Sequence, residues 1–187
     1  MCGQFAVLGS LKAIKDYYQF LSEGDFSFEN VFLEEDNYQH LNANYTLIKP
    51  MDYFTVVTVE EQKIILLNAR WGLVPFWAKD ESFAIKTINA RIESLKDKPT
   101  FKYAYEKRRC LIPFTGFYER DKVKTQHYFP NDNNALKSFA GLYEIWGKDK
   151  LITFTIITCP ANEKVALVHQ RMPVVLDEDK AKEWLAS

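Results

Sequence analysis

The feature that most limits the fold is a change of texture at Tyr53. From there β-branched and aromatic runs recur, at residues 53–59, 63–68, 110–113, 139–146 and 151–158, and each reads as a strand. Helical signals are fewer. Ser10 is placed to cap a helix in which Leu11, Ile14, Tyr17 or Tyr18, and Leu21 recur at helical spacing, with Gly24 positioned to end it. A short helix is expected over 100–107, and another from the N-cap Asp177 to about 185. Many strands with few helices predict an α+β fold around a mixed or antiparallel sheet. The seven glycines and seven prolines are scattered, and no low-complexity stretch or internal repeat marks a linker. One domain over residues 1–187 is the expectation.

Composition removes several function classes. The chain carries 24 basic and 25 acidic residues, a net charge of −1, so it is no polycation and any nucleic-acid contact needs a local patch. Residues 16–36 hold seven acidic residues and no Lys or Arg, whereas residues 86–109 hold eight basic against three acidic. A polyanion is expected at the second stretch. Trp71, Phe76, Trp77, Phe101 and Tyr103 flank it, and rings beside cations suit the stacking of unpaired bases, although a core role also accounts for most of them. No apolar run approaches the roughly 18 residues of a membrane span, and the first residues lack the charged start of a signal peptide. A soluble cytoplasmic protein with no membrane partner is expected. Three cysteines, Cys2, Cys110 and Cys159, form no C-x-x-C pair, and their odd number argues against a disulfide framework or a zinc site. No metal or cofactor is expected.

Cys2 is the most informative residue. Removal of Met1 would leave an α-amine and a thiol on one carbon framework, a 1,2-aminothiol. The amine titrates near ~7.7–8.0 and an ordinary thiol near ~8.5, so both reactive forms exist at neutral pH without tuning. Such a pair captures an aldehyde twice: the amine gives an imine, and the sulfur adds to close a five-membered thiazolidine. A buried apolar cysteine is the plainer alternative.

Three segments are polar for their apolar surroundings: 87–93, 115–120 and 168–173. Within them Glu119 and His169 can exchange protons and Asn89 can orient an amine or an oxygen, or each can be a satisfied buried hydrogen-bonding group.

The chain also resembles a known family along nearly its whole length. The matching stretches are Cys2-Gly3-Gln4-Phe5, Trp71-Gly72-Leu73-Val74-Pro75-Phe76-Trp77-Ala78-Lys79-Asp80, and Asn89-Ala90-Arg91-Ile92-Glu93-Ser94 running into Lys98-Pro99-Thr100-Phe101. Arg108-Arg109-Cys110-Leu111-Ile112-Pro113 follows, with Gly116-Phe117-Tyr118-Glu119 and Ala140-Gly141-Leu142-Tyr143-Glu144-Ile145-Trp146. Thr155-Ile156-Ile157-Thr158 and His169-Gln170-Arg171-Met172-Pro173 complete the set. On these motifs it resembles the SOS-response-associated peptidase (SRAP) family, whose members crosslink to abasic sites in single-stranded DNA. The resemblance implies a curved, barrel-like sheet core with a few peripheral helices. It implies that Cys2 forms the thiazolidine, Asn89 positions its amine, Glu119 is the acid/base, and His169 assists proton transfer at the sugar. It further implies DNA contacts from Arg91, Gln4, Arg120, Thr158 and Arg171, and from the loop bearing Trp71 and Trp77. The implied partner is single-stranded DNA containing abasic sites, bound by a monomer.

Four positions depart from the family pattern. Gln4 stands where a basic residue is usual, Arg120 where tryptophan usually follows the glutamate, and Gln170 where aspartate commonly precedes the arginine. The family's Asn-bearing loop is matched only loosely by Leu41-Asn42-Ala43-Asn44-Tyr45. Two other readings remain open at this level. One is an N-terminal-cysteine amidotransferase or peptidase, the other a non-covalent single-strand binding module.

Overall fold

The computed structural model describes residues 2–22, 28–31, 45–61 and 63–187. Strand β1 (Gln4–Val7) and helix α1 (Leu11–Tyr17) come first, followed by β2 (Phe28–Val31), β3 (Thr46–Ile48) and the hairpin of β4 (Tyr53–Glu60) with β5 (Lys63–Trp71). After β6 (Asn89–Arg91) and α2 (Pro99–Lys107) come β7 (Arg109–Phe114), β8 (Gly116–Arg120), β9 (Gln126–Pro130), β10 (Lys137–Trp146) and β11 (Leu151–Pro160). The chain ends with α3 (Glu163–Ala166), β12 (Arg171–Pro173), β13 (Val175–Leu176) and α4 (Glu178–Ala186). All five expected strands are present, each one to three residues longer than its sequence signal.

The larger sheet runs β12-β11-β10-β7-β4-β5-β2 and is mostly antiparallel. Its β11 also pairs in parallel with β5, through Thr153↔Arg70 and Phe154↔Trp71. Two residue pairs are too few to complete a barrel, so the sheet is a curved ring within an α+β fold. The smaller sheet runs β3-β1-β8-β9, with Phe5 opposite both Ile48 and Phe117, and Phe117 opposite Phe129. Strand side chains alternate between faces, so these rings point inward together.

Phe5 joins the two sheets. Its ring centroid lies 5.3 Å from that of Phe54, 5.3 Å from Trp71 and 5.8 Å from Phe139, all edge-on. Such contacts contribute about 0.5–1.5 kcal/mol each beyond area burial, and they pin β1 three residues from Cys2. Gly72 turns the chain sharply out of β5 with φ at +133°, and a Cβ there would lie 2.7 Å from the Ala84 carbonyl oxygen. Only glycine fits both conditions.

Caps set the helix starts. Ser10 Oγ accepts from the Ala13 N–H and Asp177 Oδ1 from the Lys180 N–H, while Pro99 opens α2. The first helix is shorter than expected, because after Tyr17 the chain tightens into a 3₁₀ turn over Tyr18–Leu21. Tyr18 is fully buried there and its hydroxyl meets that of Ser138 at 2.9 Å, which holds the turn against the sheet. The expected stop at Gly24 lies outside the described residues. Among the described residues no helix is long and apolar enough to cross a membrane.

Candidate active site

Cys2 stands where the two sheets meet. It lies two residues before the start of β1, and the Asn89 side chain at the start of β6 reaches across to it: Nδ2 donates to the Cys2 carbonyl oxygen at 2.8 Å. β6 pairs in parallel with β11, with Asn89 opposite Ile156, so the larger sheet fixes the asparagine while the smaller one fixes the cysteine. Asn89 Oδ1 is buried and has no hydrogen-bond partner among the described residues. An orphaned buried acceptor is costly, and this one lies beside Cys2, suited to an N–H that none of the described residues supplies.

β8 delivers the carboxyl group. Its alternation sends Phe117 and Glu119 inward while Tyr118 and Arg120 face out. Glu119 is 2% exposed. Burial pushes its pKa above the ordinary carboxyl value. The acid form therefore persists to higher pH than for a solvated glutamate. Burial also pushes the Cys2 thiol well up, and the charge of Glu119 adds to the shift. This corrects the expectation of an untuned thiol, because in a fully buried site the thiolate is scarce at neutral pH.

His169 follows α3 in a turn that packs its ring against the backbone of Arg171. Nδ1 lies 3.0 Å from the Arg171 backbone nitrogen and 3.1 Å from its carbonyl oxygen, so the Arg171 backbone holds the ring through Nδ1 in either tautomer. His169, Glu119, Tyr118, Gly3 and Gln4 line one cleft of about 440 Å³, and Arg120, Asp121 and Gln126 complete its wall. A groove of about 770 Å³ shares His169, Arg120 and Asp121 with that cleft and continues past Arg91, Lys122 and Arg171. Its charged lining residues are cationic apart from Asp121, the rest being mainly the apolar Val123, Ala166, Leu167 and Val168, and Arg91 is exposed on it.

The structure thus brings Cys2, Asn89, Glu119 and His169 together, and places Gln4, Arg120, Arg91 and Arg171 around them. Two expected DNA contacts are corrected. Trp71 is fully buried, donates Nε1–H to the Ile88 carbonyl at 2.7 Å and stacks near Phe154, so its ring belongs to the core. Thr158 is also fully buried, with its hydroxyl donating to the Ala90 carbonyl. Trp77, 45% exposed, keeps an open face. Arg171 is half-satisfied already: both terminal nitrogens contact the Glu93 carboxylate at 2.6 and 2.9 Å, and Nη2 reaches the Thr158 carbonyl at 2.7 Å.

The basic run is likewise redistributed. Arg108 pairs with buried Glu144, and Arg109 lies between the rings of Tyr105 and Trp184, donating to both backbone carbonyls. These cations fasten α2 and α4 to the sheet. Sequence reasoning missed Lys122, which only the β8–β9 turn brings to the groove. Of the loosely matched loop over residues 41–45, residues 41–44 lie outside the described residues. Among the described residues no group of His, Cys, Asp and Glu is arranged to hold a metal ion.

A family model described as SOS response associated peptidase (SRAP) matches residues 1–187. Abasic site processing protein YoqW of Bacillus subtilis is 34% identical over 195 residues, covering 99% of this chain and 80% of that protein. Abasic site processing protein HMCES of Gallus gallus is 34% identical over 151 residues, covering 65% of this chain and 45% of that protein. A crystal structure of a protein from Bacteroides thetaiotaomicron superposes with a TM-score of 0.75 at 23% identity, covering 98% of this chain and 81% of that one.

Proposed function

Because the chain belongs to the SOS response associated peptidase (SRAP) family, we propose that it processes abasic sites in DNA, capturing the lesion in single-stranded DNA through Cys2 once Met1 is removed. The observation that carries this reading is the placing of Cys2: its carbonyl is gripped by Asn89, its thiol lies within the influence of Glu119, and the cleft beside it opens into a cationic groove.

The chemistry balances with these groups alone. Ring opening of the abasic sugar exposes an aldehyde: His169 takes the proton of the anomeric hydroxyl and delivers one to the ring oxygen as the C–O bond breaks, ending in its starting protonation state. The Cys2 amine adds to the aldehyde carbon, oriented by the acceptor Asn89 Oδ1. Glu119 protonates the hydroxyl of the carbinolamine, which leaves as water and yields an iminium. The resulting Glu119 carboxylate then takes the thiol proton, and the sulfur adds to the iminium carbon. The net change is aldehyde plus aminothiol to thiazolidine plus one water, with Glu119 returned to its acid form. The raised pKa of Glu119 serves both steps, since the acid is present to donate and its carboxylate is a stronger base toward a reluctant thiol. A peptidase-type cleavage of the Met1-Cys2 bond would expose the same amine.

The test is incubation of protein verified by mass spectrometry to lack Met1 with a single-stranded oligonucleotide bearing one abasic site. A band that survives denaturing electrophoresis, with the mass of both components less one water, is expected. Absence of any such species overturns the reading.

A further inference from the structure

The outer face of the smaller sheet has no part in the chemistry above, yet it runs directly into the cleft. Register places Gln4 opposite Tyr118, Tyr118 opposite Tyr128, and Arg120 opposite Gln126, so all five side chains share the face turned away from the Phe5–Phe117–Phe129 core. The rings of Tyr118 and Tyr128 lie 4.7 Å apart at 34°, and the Tyr118 hydroxyl meets that of Tyr45 at 2.6 Å. Tyr45 and Tyr128 are 44% and 37% exposed. Gly116 makes room for this arrangement, since a Cβ there would collide with the Tyr128 phenol. Gln126 Nε2 donates to Gln4 Oε1 beside the rings.

We propose that Tyr118 and Tyr128 form a stacking subsite for the unpaired base of the nucleotide next to the lesion. The proposal rests on the abasic-site reading. Tyrosines side by side on an exposed sheet face offer π surface that any base can cover, whereas a paired duplex hides its base faces. Continuity fixes the occupant: Tyr118, Gln4, Arg120 and Gln126 also line the cleft that holds Glu119 and His169, so a strand anchored there passes over these rings. Gln4 and Gln126 add amide donors and acceptors for a base edge, and Arg120 adds a cation for the adjoining phosphate. Tyr45 braces Tyr118 through its hydroxyl and is a positioning residue here.

The test uses an oligonucleotide with a tetrahydrofuran abasic analogue, which has no aldehyde and reports binding alone. 2-Aminopurine is placed on its 5′ or its 3′ side. The expected result is quenching on binding from one of the two sides. Tyr118→Leu and Tyr128→Leu should abolish that quenching and weaken binding by about tenfold, the usual scale for removing one base–aromatic stack. Tyr118→Phe and Tyr128→Phe should retain both. On an oligonucleotide lacking the neighbouring base, the leucine variants should bind like the parent. Absence of quenching in the parent, unchanged quenching in the leucine variants, or an equal loss of affinity with and without the neighbouring base would each overturn the proposal. A parallel crosslinking assay with a true abasic site separates the failures. If the parent forms its adduct while the tyrosine variants change nothing, the subsite alone is wrong; if the parent forms none, the abasic-site reading fails with it.

Discussion

Glu119→Gln keeps the shape and hydrogen-bonding capacity of the buried group and removes its proton transfer. Acid catalysis by a positioned side chain contributes about 10²–10⁴-fold, which corresponds to about 3–5 kcal/mol of activation free energy. Adduct formation by the variant should slow by that factor. The pH dependence adds a second arm. Burial raises the folded-state pKa of Glu119, so the proton it donates is present at low pH and lost as pH rises through that value. The parent's Glu119-dependent rate should fall over that rise, whereas the variant should lack this arm. Stability moves in the same direction. A raised carboxyl pKa stabilises the fold fully below the unfolded-state value, and that contribution disappears as pH climbs through the folded-state value. Above it the parent holds a charge in a site that is 2% exposed, so the glutamine variant should be at least as stable as the parent there. Quenched time courses across pH ~5–9, a span that includes unperturbed histidine and cysteine titrations, read the rate, and chemical denaturation at the two ends reads the stability. A variant that forms adduct at the parent rate over the whole range would refute the acid/base assignment.

Cys2→Ala should abolish the denaturation-stable adduct, leaving at most an imine trapped by borohydride, while Cys110→Ser should crosslink normally because Cys110 is fully buried in β7, away from the cleft; gel assays with and without reductant compare them. Arg91→Ala should weaken binding and make affinity less sensitive to salt, the log–log slope becoming shallower by about 0.7 if the guanidinium neutralises one phosphate of a single strand. Trp71→Ala should cost about 3–5 kcal/mol in urea denaturation as a cavity in the core, with DNA effects following from stability alone. The Arg171 guanidinium holds the Glu93 carboxyl down at about 2, so the pairing is intact above the ordinary value of 4.5 and is lost as pH falls toward 2. Glu93→Gln should loosen the His169 turn and slow adduct reversal at neutral pH, as followed by chasing preformed adduct with unlabelled abasic DNA.

Much of the larger sheet is legible because its strands are long and rich in β-branched residues. The smaller sheet is not. β1 has four residues and β8 five, too short for a period to stand out, and the β1–β8 pairing joins segments more than a hundred residues apart. Reading 115–120 as a polar anomaly locates Glu119 but misses the alternation that aims it: Phe117 and Glu119 in, Tyr118 and Arg120 out. Trp71 shows the converse error. The expected strand stops at residue 68, which makes Trp71 an apparent surface ring beside a basic run, yet Leu67, Ala69 and Trp71 continue a period of two into the core. That signal is present in the sequence. The fates of Arg108 and Arg109 are not, since Glu144 and Trp184 reach them only through the tertiary fold.

The distribution of cations bears on how such a site would hold DNA. A net charge of −1 gives little long-range attraction for a polyanion, and two arginines of the basic run are used to pack helices. Arg171 is committed to Glu93 and Thr158, and its backbone holds the His169 ring through Nδ1, so its first service is to geometry. Attraction then rests on Arg91, Arg120 and Lys122 around the groove, with Gln4 neutral beside the reaction centre. A few phosphate contacts of this kind give modest, salt-sensitive affinity. In the proposed reaction, capture by a two-bond thiazolidine would remove the need for more, because residence would be governed by the rate of ring reopening and not by dissociation. The groups proposed to set covalent rates, Glu119 and the His169 turn, would then matter more to the lifetime of the complex than any single groove cation.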